Sequence, residues 1–207
     1  MVPNEFFSNC FNCNCAPLKD WFEGDYKLPD DPPDELLCDE DTVCELLASL
    51  DVSKSSGPDG ISGKMFKHTA VSIASSVSQL FNLSIRNGRV PRGWKLSSVV
   101  PIPKSGRSHS PDNYRPISLL SVLSKVLEKH IHTLLFRHLE QYYPLSDCQW
   151  GFRNGRSTVS ALLLTVHHWL QLLESGMDVC AVFLDYRKAF DSVPHAPLMK
   201  KLQDIGL

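Results

Sequence analysis

The run Val179-Cys180-Ala181-Val182-Phe183-Leu184 is apolar without alternation and ends in the carboxylate of Asp185. Such a run suits a strand covered on both faces, which backbone pairing would hold rigid. Asp185 at its end would then project into a cleft at fixed geometry, as metal-dependent phosphoryl or nucleotidyl transfer requires. The competing reading is an Asp that merely caps the next turn. On both sides of this run the chain reads as mostly helical. Upstream, about Ser157 to Glu174 is a helix ended by Gly176, and Gly151 to Arg156 is a basic, Gly-containing hairpin or loop. About Ser121 to Tyr142 is amphipathic, with Val122, Val126, Leu127, Ile131, Leu134 and Leu135 inward. The prolines of Val99-Val100-Pro101-Ile102-Pro103 demote that strand to an edge or hairpin arm, and Tyr114-Arg115-Pro116-Ile117 is the returning arm. A further helix is expected from about Ser62 to Asn87, with Asn87-Gly88 as its C-cap. Ser55 to Gly60 is a tight turn, and Thr42 with Glu45 forms a capping box for a helix through Val43, Leu46, Leu47 and Leu50. Downstream, Pro194 precedes a last helix that is still running at Leu207. The fold class is α+β, helix-rich with few short strands.

Composition bounds the function. The 207 residues are 43% apolar, a globular composition with room for a core. No apolar run reaches the ~18 residues of a membrane span. Met1-Val2-Pro3-Asn4-Glu5 lacks the basic opening of a secretory signal. The expectation is an intracellular protein, cytoplasmic or nuclear, that uses no membrane. The formal charge of −2 looks unsuited to a polyanionic partner. Divided along the chain it reads differently, because residues 1–51 carry 13 acids and two bases while residues 52–207 carry ten acids and 19 bases. An acidic leader, residues 1–54 with one short helix, precedes a basic body. That asymmetry points to nucleic acid, with a solvated charged face as the alternative. Seven cysteines without a signal peptide read as reduced thiols. Cys10, Cys13 and Cys15 have zinc-like spacing but no fourth ligand nearby, so free thiols are preferred. His130 and His132 lie two apart and His167 and His168 are adjacent, so neither pair shares a helix face.

Two enzyme classes place a carboxylate as Asp185 is placed. A haloacid-dehalogenase-like phosphatase needs Asp-x-Asp and a small turn residue, whereas the sequence continues Tyr186-Arg187-Lys188. A nucleic-acid polymerase needs an aromatic residue a few positions on to sense the sugar, and Phe190 stands there. The competing reading of Phe190 is ordinary core. The company of these residues decides between the classes. Phe183-Leu184-Asp185-Tyr186-Arg187-Lys188-Ala189-Phe190-Asp191-Ser192-Val193 resembles the first catalytic motif of reverse transcriptases from non-LTR (LINE-type) retrotransposons. Gly57-Pro58-Asp59-Gly60-Ile61 resembles the motif before their fingers. Pro101-Ile102-Pro103-Lys104 with Asn113-Tyr114-Arg115-Pro116-Ile117-Ser118-Leu119-Leu120 resembles their first fingers motif. Gln149-Trp150-Gly151-Phe152-Arg153-Asn154-Gly155-Arg156-Ser157-Thr158 resembles the second. Four motifs in the family's order, over residues 55–207, are far more specific than any one alone.

The resemblance implies a partial right-hand polymerase, fingers plus the beginning of the palm. It implies that Asp185, joined by the main-chain carbonyl of Tyr186, is a ligand of two magnesium ions (Mg2+). Those ions activate the primer 3′-hydroxyl and offset charge on the pyrophosphate. Phe190 would lie under the deoxyribose and exclude a 2′-hydroxyl. Lys104 and Arg115 would clamp the incoming triphosphate, Arg through its planar fork and Lys as a point charge. Gln149, Gly151, Phe152, Arg153 and Arg156 would form the nucleic-acid-binding set, with the two arginines tracking template phosphates. Phe152 or Trp150 could stack on a base, packing being favoured for Trp150. Asp191 reads as structural support for the turn. The implied partners are an RNA template, a DNA primer and deoxynucleoside triphosphates.

The family's second catalytic motif, an aromatic-x-Asp-Asp hairpin, occurs nowhere in the sequence. With one of the metal-binding carboxylates and none of the others, the chain is expected to be an inactive fragment of an RNA-directed DNA polymerase. The alternatives are a non-catalytic RNA or template–primer binding module, or the inert product of a decayed element.

Overall fold

The computed structural model describes residues 33–104, 113–186, 189, 190 and 192–206. Cys10, Cys13, Cys15, the expected turn at Ser105-Gly106, and Asp191 lie outside the described residues. The α-helices among the described residues are α1 (Glu40–Ala48), α2 (Gly63–His68), α3 (Ala70–Arg86), α4 (Val122–Tyr142), α5 (Thr158–Glu174) and α6 (His195–Asp204). One antiparallel sheet joins β1 (Ser97–Pro103) to β2 (Tyr114–Leu120). The architecture is therefore helix-rich α+β. The chain divides into two compact units, the described part of Met1–Phe136 with Pro194–Leu207, and Arg137–Val193.

In the first unit α1 packs along α3. The cap of α1 is Asp39, not the expected Thr42. Its carboxylate accepts the Thr42 N–H at 2.6 Å, and Glu40 and Asp41 follow in the first turn, where the helix dipole favours acids. Hydrogen bonds from the Thr42 side chain and N–H hold the Asp39 carboxyl below its ordinary pKa. The helix expected from Ser62 to Asn87 is two helices, because Thr69 interrupts it at φ −102° and ψ 6°. Both the hydroxyl and the N–H of Thr69 turn back to the Met65 carbonyl, at 2.9 and 3.1 Å. A β-branched residue with such a local alternative breaks helices readily. The expected Asn87-Gly88 stop is present. Gly88 takes φ 57°, its N–H reaches the Ile85 carbonyl, and Arg89 N–H reaches that of Ser84, which together close the helix end.

Val43 and Leu47 of α1, Phe81 of α3 and Cys38 are the largest fully buried side chains. Ala74 and Val77 pack with them, as do Val122, Val126 and Leu127 from the start of α4. The Cys38 backbone is locked to α3. Its N–H donates to Asn82 Oδ1 at 2.8 Å, and its carbonyl accepts from Ser78 Oγ at 2.7 Å and Asn82 Nδ2 at 2.9 Å. Burial, reinforced by the neighbouring charge of Asp39, pushes the Cys38 thiol up to about 11. Trp94, in a segment assigned to no helix or strand from sequence, is buried edge-on against Phe81 with ring centroids 5.7 Å apart.

The tight turn is built as its residues dictate. Gly60 N–H bonds the Gly57 carbonyl across Pro58-Asp59, and the Asp59 carboxylate accepts the Ile61 N–H at 3.2 Å. Gly57 has a steric reason to be glycine: a Cβ there would come within 2.5 Å of Ser121 N and 2.6 Å of the Leu120 carbonyl. This turn therefore abuts the junction of β2 with α4.

In the second unit α5 begins at Ser157, as expected. Ser157 and Ser160 cap each other's backbone N–H groups, and the helix stops at Gly176 with φ 78°. The expected strand over residues 179–185 is not formed. Residues 177–186 have no regular secondary structure, and Val182, Phe183 and Leu184 are 76%, 87% and 84% exposed. A buried strand needs hydrogen-bonded neighbours. Among the described residues the only sheet pairs β1 with β2, so this run has no ladder to join.

Candidate functional site

The ribbon of β1 and β2 positions the two cations expected at the triphosphate. Lys104 N–H bonds the Asn113 carbonyl at 2.8 Å, which makes 104–113 a hydrogen-bonded pair. Pairs alternate along an antiparallel ladder, so Pro101↔Pro116 and Pro103↔Tyr114 fall at non-hydrogen-bonded pairs, where a missing N–H breaks no rung. The same alternation puts Lys104 and Ile102 on one face. Arg115 lies directly opposite Ile102, so it shares that face as a diagonal neighbour of Lys104, ~7–8 Å apart in such geometry. Both residues are exposed.

In the second unit the loop before α5 is held by its own arginines. Arg153 Nη1 donates to the carbonyls of Leu145 and Ser146 at 3.3 and 2.9 Å. Arg156 donates to the Asp147 carbonyl at 2.6 Å and to its carboxylate at 2.7 Å, and its guanidinium lies 4.7 Å above the Trp150 ring. Both guanidiniums thus fold back on residues 145–150. Gln149 Nε2 donates to the Gly151 carbonyl at 3.3 Å, and the space beside Gly151 is open. Phe152 sits at φ 60°, a left-handed conformation costing an aromatic residue ~1–2 kcal/mol, and is 80% exposed. Its ring meets that of Phe190 edge to face, at 5.8 Å and 82°.

Asp185 is exposed on the extended segment, with Tyr186 beside it 80% exposed. The structure thus brings Phe152 to Phe190, and Lys104 to one face with Arg115. Two features were missed from sequence. Asp147 anchors the arginine loop, and its signal was an acid a few residues before a basic cluster. The Phe152–Phe190 pair had no signal at all, since nothing in the spacing joins them. Among the described residues the donors do not fit two magnesium ions. Asp185 offers one carboxylate, and among the described residues no three His, Cys, Asp or Glu come together as a metal-holding group. No helix among them is long and apolar enough to cross a membrane.

Residues 102–207 match the sequence profile described as reverse transcriptase (RNA-dependent DNA polymerase). The chain is 35% identical over 164 residues to the "Probable RNA-directed DNA polymerase from transposon BS" of Drosophila melanogaster, an overlap of 79% of this chain and 18% of that protein. It is 33% identical over 162 residues to the "Probable RNA-directed DNA polymerase from transposon X-element" of the same organism, covering 78% of this chain and 18% of that one. The "RNA-directed DNA polymerase from mobile element jockey", also of Drosophila melanogaster, matches at 28% identity over 188 residues, 90% of this chain and 20% of that protein. The chain spans about a fifth of the length of these curated relatives.

Proposed function

The chain belongs to the reverse transcriptase family of non-LTR retrotransposons, and from that premise we propose that it is a fingers and early-palm stretch which binds phosphate-bearing substrates without polymerising them. Residues 55–207 are the reverse transcriptase part, and residues 1–54 are its acidic leader, whose α-helix among the described residues is α1. Lys104 and Arg115 receive the triphosphate of a deoxynucleotide. Phe190, braced by Phe152, meets the sugar. Gln149, Gly151 and Phe152 meet an RNA template or its DNA primer, on a loop whose shape and positive charge come from Arg153 and Arg156. Asp185, with the Tyr186 carbonyl, is the share of a magnesium site that this stretch contributes, and no chemical step is assigned to the chain by itself.

The observation that carries this reading is the ribbon register, which sets Lys104 and Arg115 side by side on one exposed face. Two cations one diagonal apart can engage neighbouring phosphate oxygens, the Arg in bidentate fashion. The test is filter binding of single-stranded RNA across a salt series. The expected result is an affinity that falls log-linearly with salt, by ~0.7 in slope for each phosphate engaged. Affinity without salt dependence, or none at all, would overturn it.

A further inference from the structure

A cavity of about 230 Å³ lies within the first unit, between the end of α1, the segment after it, and the start of α4. Leu46, Leu50, Val122 and Val126 give it an apolar floor. Lys54, Lys125 and Lys129 line it with positive charge, against one acid, Asp51. The Asp51 Oδ1 already accepts the Ser53 N–H at 3.0 Å and its hydroxyl at 2.7 Å. Lys125 and Lys129 stand four residues apart on α4, hence on one face and ~6 Å apart along the axis. Neither has an ion pair among the described residues. The walls are fixed independently of any ligand. Lys67 Nζ donates to the Leu50 carbonyl at 3.2 Å, and Gly57 abuts the Leu120–Ser121 backbone just before α4.

We propose that this cavity seats one base of a single-stranded nucleic acid while Lys54, Lys125 and Lys129 hold the phosphates on either side of it. The volume is below the ~300–1,000 Å³ that encloses a whole small ligand, so it suits one group of a longer molecule. An apolar floor asks for an apolar group, and three cations ask for more than one anion. A strand that presents a flat base between phosphates at every step meets both demands. An acyl chain brings a single head group, and an acidic peptide brings charge without the base. The class of partner rests on the family reading above, but the site is separate from residues 149–156 and from the ribbon.

The test is photocrosslinking of the full chain to a short single-stranded RNA carrying 4-thiouridine, with adducts mapped by mass spectrometry. Adducts are expected within residues 46–55 or 122–129. The double variant Lys125→Gln/Lys129→Gln should reduce the salt slope of RNA binding by about 1.4, two phosphates at ~0.7 each. Ser55→Phe, which fills the cavity without altering charge, should lose those adducts while keeping most of the slope. Circular dichroism on each variant guards against simple misfolding. Adducts confined to residues 145–157, with an unchanged slope in the lysine variant, would overturn this site and leave the family reading standing. Displacement of the RNA by polyglutamate at equal charge would also overturn it. A complete lack of RNA binding would overturn both.

Discussion

Helices α3 and α5 have the same length, 17 residues, yet they meet opposite fates. α3 buries Ala70, Ala74, Val77, Ser78, Phe81 and Ser84, one stripe repeating every three or four residues. α5 carries more large apolar side chains, including Leu162, Leu163 and Leu164 in succession, and buries none of them. A stripe can be satisfied by one neighbour, and α1 supplies it. α5 also carries a stripe, Val159, Leu163, Val166, Leu170 and Leu173, with Ser160, His167, Gln171 and Glu174 on its other side, but none of the stripe is buried among the described residues. Burial is thus decided by the neighbours an element finds rather than by how apolar it is. The run 179–184 obeys the same rule, being apolar enough for a central strand and exposed for want of a ladder.

The sharpest way to break this contrast is to truncate one residue from each region. Phe81→Ala removes a fully buried ring that also packs on Trp94, and should cost ~3–5 kcal/mol in urea unfolding. Leu163→Ala, at a site 66% exposed, should stay within ~0.5 kcal/mol. Comparable losses would show that the two helices are equally packed. The next effect is chemical. Cys38 is buried with its thiol raised to about 11, whereas Cys148 and Cys180 are exposed. A reagent that requires thiolate, such as iodoacetamide at pH 8, should label Cys148 and Cys180 well before Cys38, whose thiol is buried and held protonated. Peptide mapping that finds Cys38 labelled alongside them would remove the distinction. The smallest effect concerns the turn against α4. Gly57→Ala forces a methyl group into backbone, and overpacking of this kind should cost ~1–3 kcal/mol. An unchanged urea midpoint would mean that the turn moves aside freely.

The parts legible in sequence were those whose cause is local. The hairpin follows from prolines that tolerate only certain rungs, the start of α5 from Ser157, and the stop of α3 from Asn87-Gly88. The misreadings are cases where two local signals compete or where the cause is distant. Asp39 outranks Thr42 as a cap because its charge also meets the dipole. Thr69 breaks a run whose apolar spacing continues smoothly through it. Trp94 is core because Phe81 lies beneath it, which no spacing can reveal. For the site, the face shared by Lys104 and Arg115 was implicit in the register of a proline-marked ribbon. The inward fold of Arg153 and Arg156 was not, since a guanidinium that binds phosphate and one that binds its own loop look alike in sequence.

We propose that this stretch, from the reverse transcriptase family, binds phosphate-bearing substrates without joining them. Primer extension tests it most directly, using the 207-residue chain, an RNA template annealed to a DNA primer, Mg2+ and all four deoxynucleoside triphosphates. The expected result is no product longer than the primer. Extension that Asp185→Ala abolishes would contradict the claim.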